Sequence, residues 1–137
     1  MNLTLINVAL VAAGGFLGGV GRFWLSGAID RRTAETFPWG TLVVNVTGAV
    51  VIGILAGLML DRGTHMPGQI SAWAGLIAGF FGSYTTVSSF TLQTLALVRG
   101  GEIGRAIANV AASVVLCLAA AAAGYAAVHA ASGPAAP

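Results

Sequence analysis

The sequence has no lysine, four acidic residues and one cysteine in 137 positions. Charged residues make up 7% of the chain, against roughly 25% in an ordinary soluble domain. So few charges cannot clothe a water-facing surface, which excludes an ordinary cytosolic enzyme. A net charge of +2 makes no basic patch, so the chain is not read as a nucleic-acid binder despite a pI near 9.3. The single Cys117 cannot close an internal disulfide and leaves the redox compartment open. No Cys/His cluster has metal-ligand spacing, and His65 and His129 stand alone near predicted helix ends. No nucleophile–base pair or phosphate-binding loop is evident, so the chain is not read as an enzyme.

What is abundant points to lipid. The residues are 57% hydrophobic and the mean hydropathy is +0.90. Charges gather at Asp30, Arg31, Arg32 and Glu35, at Asp61 and Arg62, and at Arg99, Glu102 and Arg105. Between these clusters lie apolar runs near the ~20 residues a helix needs to cross a bilayer. The expected spans are 3–25, 39–60, 70–98 and 103–128, with 131–137 a flexible Ala/Pro tail. The first span lacks a basic leader and is too long for a signal peptide's apolar region, so it is expected to be retained. The expectation is one all-α membrane domain over 1–137, with four transmembrane helices.

Twenty glycines would weaken soluble helices, yet in lipid small residues let backbones approach. Gly14 and Gly18, Gly15 and Gly19, Gly53 and Gly57, and Gly75 and Gly79 recur four apart, a signature of a packed bundle. Four spans enclose little space, so a dimer is expected.

The polar residues inside the spans are the informative ones. Arg22 lies on the face of Gly14 and Gly18. It either snorkels to headgroups or supplies a fixed positive charge at a pore mouth. Thr41, Asn45 and Gly48 share one face of the second span, and Asn45 serves either as interhelical glue or as a ligand group. In the third span, Gly79-Phe80-Phe81-Gly82-Ser83-Tyr84-Thr85-Thr86-Val87-Ser88-Ser89-Phe90-Thr91 sets a dense run of hydroxyls at mid-membrane. Gly82 followed by Ser and Thr suggests a helix interruption, which lipid tolerates only where the freed backbone finds partners or lines a cavity. Asn109, Ser113 and Cys117 form a polar stripe on the fourth span. These tracks offer neutral donors and no carboxylate, since all four acids are assigned to loops. A cation path or a proton-coupled exporter normally needs acids. A donor-rich, acid-free track favours a small anion, and polar glue in a structural bundle is the competing reading.

Three motifs together carry a family resemblance. Gly14-Gly15-Phe16-Leu17-Gly18-Gly19-Val20-Gly21-Arg22-Phe23, Phe37-Pro38-Trp39-Gly40-Thr41-Leu42-Val43-Val44-Asn45-Val46-Thr47-Gly48, and Gly79 through Phe90 resemble the helix signatures of the Fluc (CrcB) family of fluoride channels, across essentially the whole chain. The resemblance implies a passive, fluoride-selective channel in the bacterial inner membrane that exports the toxic ion. It implies an antiparallel, dual-topology dimer in lipid, with the third helix broken near its middle. It also implies a structural sodium ion at the dimer axis, held by the backbone carbonyls of Gly82 and Thr85. The fluoride path would use Thr41, Asn45, Ser88, Ser89, Phe90, Asn109 and Ser113, with Arg22 at the vestibule.

Two departures stand out. The family reads Thr-Thr-Phe-Ser-Thr-Phe-Ser, and Val87 replaces its first phenylalanine here. Tyr84, Phe80 or Phe81 are the aromatics left to compensate. Arginines also favour the first and third loops over the second. A homodimer is the first expectation. The alternatives are a structural or paired subunit of a heterodimeric channel and, behind it, a proton-coupled drug exporter.

Overall fold

A chain in hydrocarbon must satisfy its own backbone polar groups, which leaves the helix as the default for a segment this apolar. The computed structural model describes residues 5–33, 36–61 and 70–132. Among them are α1 (Leu5–Thr33), α2 (Trp39–Asp61), α3 (Ile70–Tyr84), α4 (Val87–Arg99) and α5 (Ile103–Ser132). Helices α1, α2 and α5 each contain a stretch long and apolar enough to cross a membrane. Helices α3 and α4 have 15 and 13 residues. At ~1.5 Å per residue neither spans a core of about 30 Å, and end to end they make one more crossing, the third in chain order. The chain is an all-α, multi-pass membrane protein whose third crossing is interrupted.

The interruption falls at Thr85–Thr86, three residues beyond the Gly82 at which the composition suggested it. Gly82 itself is helical. Two other expectations are corrected. Helix α1 does not stop near residue 25 but runs through Gly27 to Thr33, and the first proline after it is Pro38. Its last turns are supported by Thr33 Oγ1 donating to the Ile29 carbonyl at 3.2 Å, and Arg31 and Arg32 lie at its negative end. Asp30 is therefore helical rather than in a loop. It accepts the Gly40 N–H at 2.8 Å, placing a carboxylate at the positive start of α2 and fixing the α1–α2 corner. Asp61 likewise closes α2. Residues 131 and 132 continue α5, and the remainder of the expected tail, with Glu35, Arg62 and His65, lies outside the described residues.

Helix α1 packs along α3, and α2 along α5. Both pairs close through glycine. A Cβ on Gly18 would strike the Phe80 carbonyl oxygen, and one on Gly79 would strike that of Val11. In the second pair, Gly53 faces the Ala121 carbonyl and Gly124 faces that of Val50. These approaches leave no room for a methyl group. Gly19 has nothing within 4 Å, so the Gly15–Gly19 repeat is not a second seam.

Helices α4 and α5 meet in a tight turn. The Glu102 N–H donates to the Leu97 carbonyl at 2.9 Å and the Gly101 N–H to that of Val98 at 3.1 Å. This is the Schellman arrangement, and it requires the positive φ of 79° that Gly101 supplies.

Candidate functional site at the helix break

The break is built by threonines. Thr85 uses both its N–H, at 3.0 Å, and its hydroxyl, at 2.8 Å, on the Phe81 carbonyl. Thr86 is extended, with φ −150° and ψ 125°, and its side chain caps α4 by accepting the Ser89 N–H at 3.2 Å. Ser88 Oγ and Ser89 Oγ also lie within hydrogen-bond reach of Thr86 Oγ1, at 3.1 and 3.3 Å. The dense hydroxyl run is in part a helix cap folded back on itself.

The backbone of Thr86 has left the helical ladder and is satisfied from α2. Asn45 Nδ2 donates to the Thr86 carbonyl at 3.0 Å, and the Thr86 N–H donates to Asn45 Oδ1 at 2.8 Å. An unpaired group at this depth would cost several kcal/mol. One carboxamide satisfies both groups because it carries donor and acceptor side by side. With the Thr86 N–H turned to Asn45, the helical bond back to the Gly82 carbonyl is not made.

Arg22 sits beside the same joint. Its Nε donates to the Ser83 carbonyl at 3.1 Å, in the last turn of α3, where carbonyls lack helical partners and the helix dipole is negative. It braces the end of α3 from α1.

An open cleft of about 390 Å³ lies at the break, lined in part by Asn45, Gly82, Thr85, Thr86, Val87 and Cys117. It gathers Asn45 and the two residues assigned to sodium. The remaining candidates lie elsewhere. Ser88 and Ser89 belong to the cap and Phe90 is half-buried on α4. Asn109, 1% exposed, donates to Thr94 Oγ1 at 2.8 Å, and Thr94 Oγ1 donates to the Phe90 carbonyl at 2.7 Å. This relay ties α5 to α4. Thr41 and Ser113 are buried on the paired helices α2 and α5, and neither engages the break.

Among the described residues no group of three or more His, Cys, Asp or Glu could hold a metal ion. A cation here would need neutral oxygens, and the Gly82 carbonyl, released from the ladder, is of that kind.

Val87 is 77% exposed at the mouth of the cleft. The neighbouring aromatics are engaged with one another. Tyr84 stacks on Phe80 at 5.7 Å between centroids, and its hydroxyl meets Thr47 Oγ1 at 3.0 Å.

Sequence reasoning passed over Thr86, Ser83, Thr94 and Gln93 as individual residues. Thr86 is of a residue type favoured at helix N-caps, the one signal the sequence held for it. Gln93 Oε1 is buried without a hydrogen-bond partner, which no sequence pattern announces.

Residues 9–125 match the family model described as CrcB-like protein, Camphor Resistance (CrcB). The chain is 50% identical over 123 residues to a protein of Bradyrhizobium diazoefficiens named fluoride-specific ion channel FluC 2, covering 90% of this chain and 89% of that one. A protein of the same name from Rhodopseudomonas palustris is 55% identical over 123 residues, covering 90% and 93%. Fluoride-specific ion channel FluC 4 of Brucella abortus is 52% identical over 119 residues, covering 85% and 86%.

Proposed function

The chain belongs to the CrcB family, and from that premise we propose that it is a fluoride-selective passive channel of the bacterial inner membrane, a conduit and not an enzyme. The observation that carries the reading is a polar joint inside a membrane crossing, at Asn45 and Thr86, opening on a cleft whose polar lining residues are Asn45, Thr85, Thr86 and Cys117, with no carboxylate. Such a lining suits a small, strongly hydrogen-bond-accepting anion and gives a proton-coupled cation exporter no carboxylate to titrate.

Hydrogen fluoride enters as a neutral acid and ionises in the more alkaline cytoplasm. The membrane potential then drives the anion out, at about 2.3 kcal/mol per charge per 100 mV. The path follows neutral donors: Thr41 and Asn45 on α2, Ser88, Ser89 and Phe90 on α4, and Asn109 and Ser113 on α5. Phe90 offers a ring edge, the positive part of its quadrupole. Arg22 adds positive potential at the depth of the break.

The conducting unit is an antiparallel pair of chains. Supporting this, the cleft at the break is open and Gly82 is exposed, while Val87, Phe16 and Phe23 are 77%, 71% and 79% exposed. The main-chain carbonyls of Gly82 and Thr85, doubled by an inverted chain, would hold sodium. Such an ion would supply a fixed positive charge among main-chain carbonyls, ligands that suit a hard cation. A second reading, a subunit that conducts only beside a related chain, is favoured by the numbered names of the relatives.

The test is reconstitution in fluoride-loaded liposomes under a potassium diffusion potential, read with a fluoride electrode. Release of fluoride but not chloride is the expected result. Release that follows a proton gradient instead would overturn the reading.

A further inference from the structure

We infer that Tyr84 is a positioning residue: its hydroxyl, bonded to Thr47, sets the register of the broken crossing against α2, and so fixes which edge of the Asn45 carboxamide faces an ion in the cleft. The conduction half rests on the channel reading above; the register half stands without it.

Tyr84 is the last residue of α3, one position before the joint. Its ring lies in the wedge between α1 and α2. A Cβ on Gly21 of α1 would come within 3.8 Å of Tyr84 Cδ2, and one on Gly48 of α2 within 3.4 Å of Cδ1 on the opposite edge. The same Cβ on Gly48 would strike Thr85 Cγ2, so glycine at this position lets both residues approach α2. Phe80 stacks on the ring with 15° between the two planes. Held on both edges and one face, the ring aims its hydroxyl at α2, where Thr47 Oγ1 meets it at 3.0 Å.

The direction of that bond follows from Thr47. Its own hydroxyl hydrogen is turned back into α2, with the Val43 and Val44 carbonyls at 2.8 and 3.1 Å. Thr47 Oγ1 is therefore the acceptor, and the phenol donates. At this depth a phenol O–H without a partner is costly, which favours keeping the bond made.

Two rungs thus stand side by side, Thr47 with Tyr84 and Asn45 with Thr86. Two residues back along α2 correspond to two residues forward along the crossing, the pairing of antiparallel segments in one register. Helix α3 packs chiefly on α1, and α2 chiefly on α5. The rungs, more than broad packing, therefore hold the crossing against α2. Register matters because a carboxamide has two unlike edges. Asn45 Nδ2 carries two N–H groups. One is spent on the Thr86 carbonyl, which leaves the second for an anion in the cleft that Asn45 lines. If the crossing slips and the clasp opens, the amide is free to turn Oδ1 to the same place, and that acceptor repels an anion.

The test uses the full chain in lipid bilayers. Tyr84→Phe keeps the ring between Gly21 and Gly48 and removes only the rung. Thr47→Val removes the acceptor at nearly constant shape, and Thr47→Ser keeps it. Amide hydrogen exchange at Thr86 reads the clasp, and fluoride release from liposomes reads conduction. Tyr84→Phe and Thr47→Val are each expected to quicken exchange at Thr86 and to slow release, roughly three- to tenfold, the change that one neutral hydrogen bond supports. The double variant is expected to be no worse than either single one, and Thr47→Ser to match the unmodified protein. Because the rung acts through Asn45, adding Tyr84→Phe to Asn45→Asp is expected to slow release no further.

Unchanged exchange in Tyr84→Phe, or losses that multiply in the double variant, overturns the rung. Quickened exchange with unchanged release, or a further loss on top of Asn45→Asp, overturns the positioning role. A protein that releases no fluoride even when unmodified fails the channel reading, and exchange at Thr86 then upholds or overturns the rung by itself.

Discussion

Asn45 and Thr86 clasp one another across the gap between α2 and the broken crossing, side-chain amide against main chain, at 3.0 and 2.8 Å. The clasp makes Asn45 structural as well as a candidate ligand group. Asn45→Leu would strand two backbone groups, at about 1–3 kcal/mol each. Asn45→Asp keeps an acceptor for the Thr86 N–H but sets a second acceptor against the Thr86 carbonyl and places negative charge beside the anion. Fluoride flux from liposomes is expected to fall roughly tenfold or more in Asn45→Asp, a barrier increase of about 1.4 kcal/mol. Normal flux would remove Asn45 from the path.

Phe90 separates conduction from folding. Its side chain is half-buried on α4 and its carbonyl holds Thr94, a main-chain bond that survives substitution. Phe90→Ile is expected to slow fluoride release severely while size-exclusion behaviour and thermal stability stay near those of the unmodified protein. An unchanged rate would show that the ring does not meet the ion.

Arg22 is predicted to act through the end of α3. Arg22→Met removes the donor to the Ser83 carbonyl and should lower the unfolding temperature in detergent. If the guanidinium acts instead as a distant attractor of anions, stability will hold and the salt dependence of flux will weaken.

The glycine seams predict opposite outcomes for one chemical change. Gly53→Ala drives a methyl into the Ala121 carbonyl, and overpacking of this kind costs about 1–3 kcal/mol. Gly19→Ala meets nothing within 4 Å and gains helix propensity, so it should leave unfolding unchanged or slightly raised. Thermal unfolding of the two variants side by side decides it.

Replacing sodium with a large organic cation should weaken fluoride flux or loosen the pair, if the carbonyls of Gly82 and Thr85 gather a cation. Chemical cross-linking yield with and without sodium measures this directly. Indifference to the replacement would withdraw those two residues from the cation site.

The crossings were legible because charge punctuates this sequence so sparsely. The gaps between Arg32, Asp61 and Arg99 are the spans themselves. The position of the break was less so. Glycine attracted attention to Gly82, yet a helix in lipid ends where its backbone finds another partner, and that partner is Asn45, 41 residues away along the chain. Asp30 was misplaced for a related reason. Its charge suggested a loop, whereas Gly40 gives it a helix terminus to cap. The hydroxyl run read as a binding track, and the structure spends part of it on capping α4, a use that depends on the extended backbone of Thr86. Family motifs supplied the remaining assignments, which backbone periodicity alone could not have separated from interhelical glue.

The order of synthesis gives the clasp a further meaning. Asn45 leaves the ribosome well before Thr86, so α2 is already available when the broken crossing arrives. The nascent joint meets a waiting carboxamide and never has to linger in hydrocarbon with bare peptide groups. A chain rearranged so that α3 and α4 were made first would lose that head start and should be handed more often to quality-control proteases.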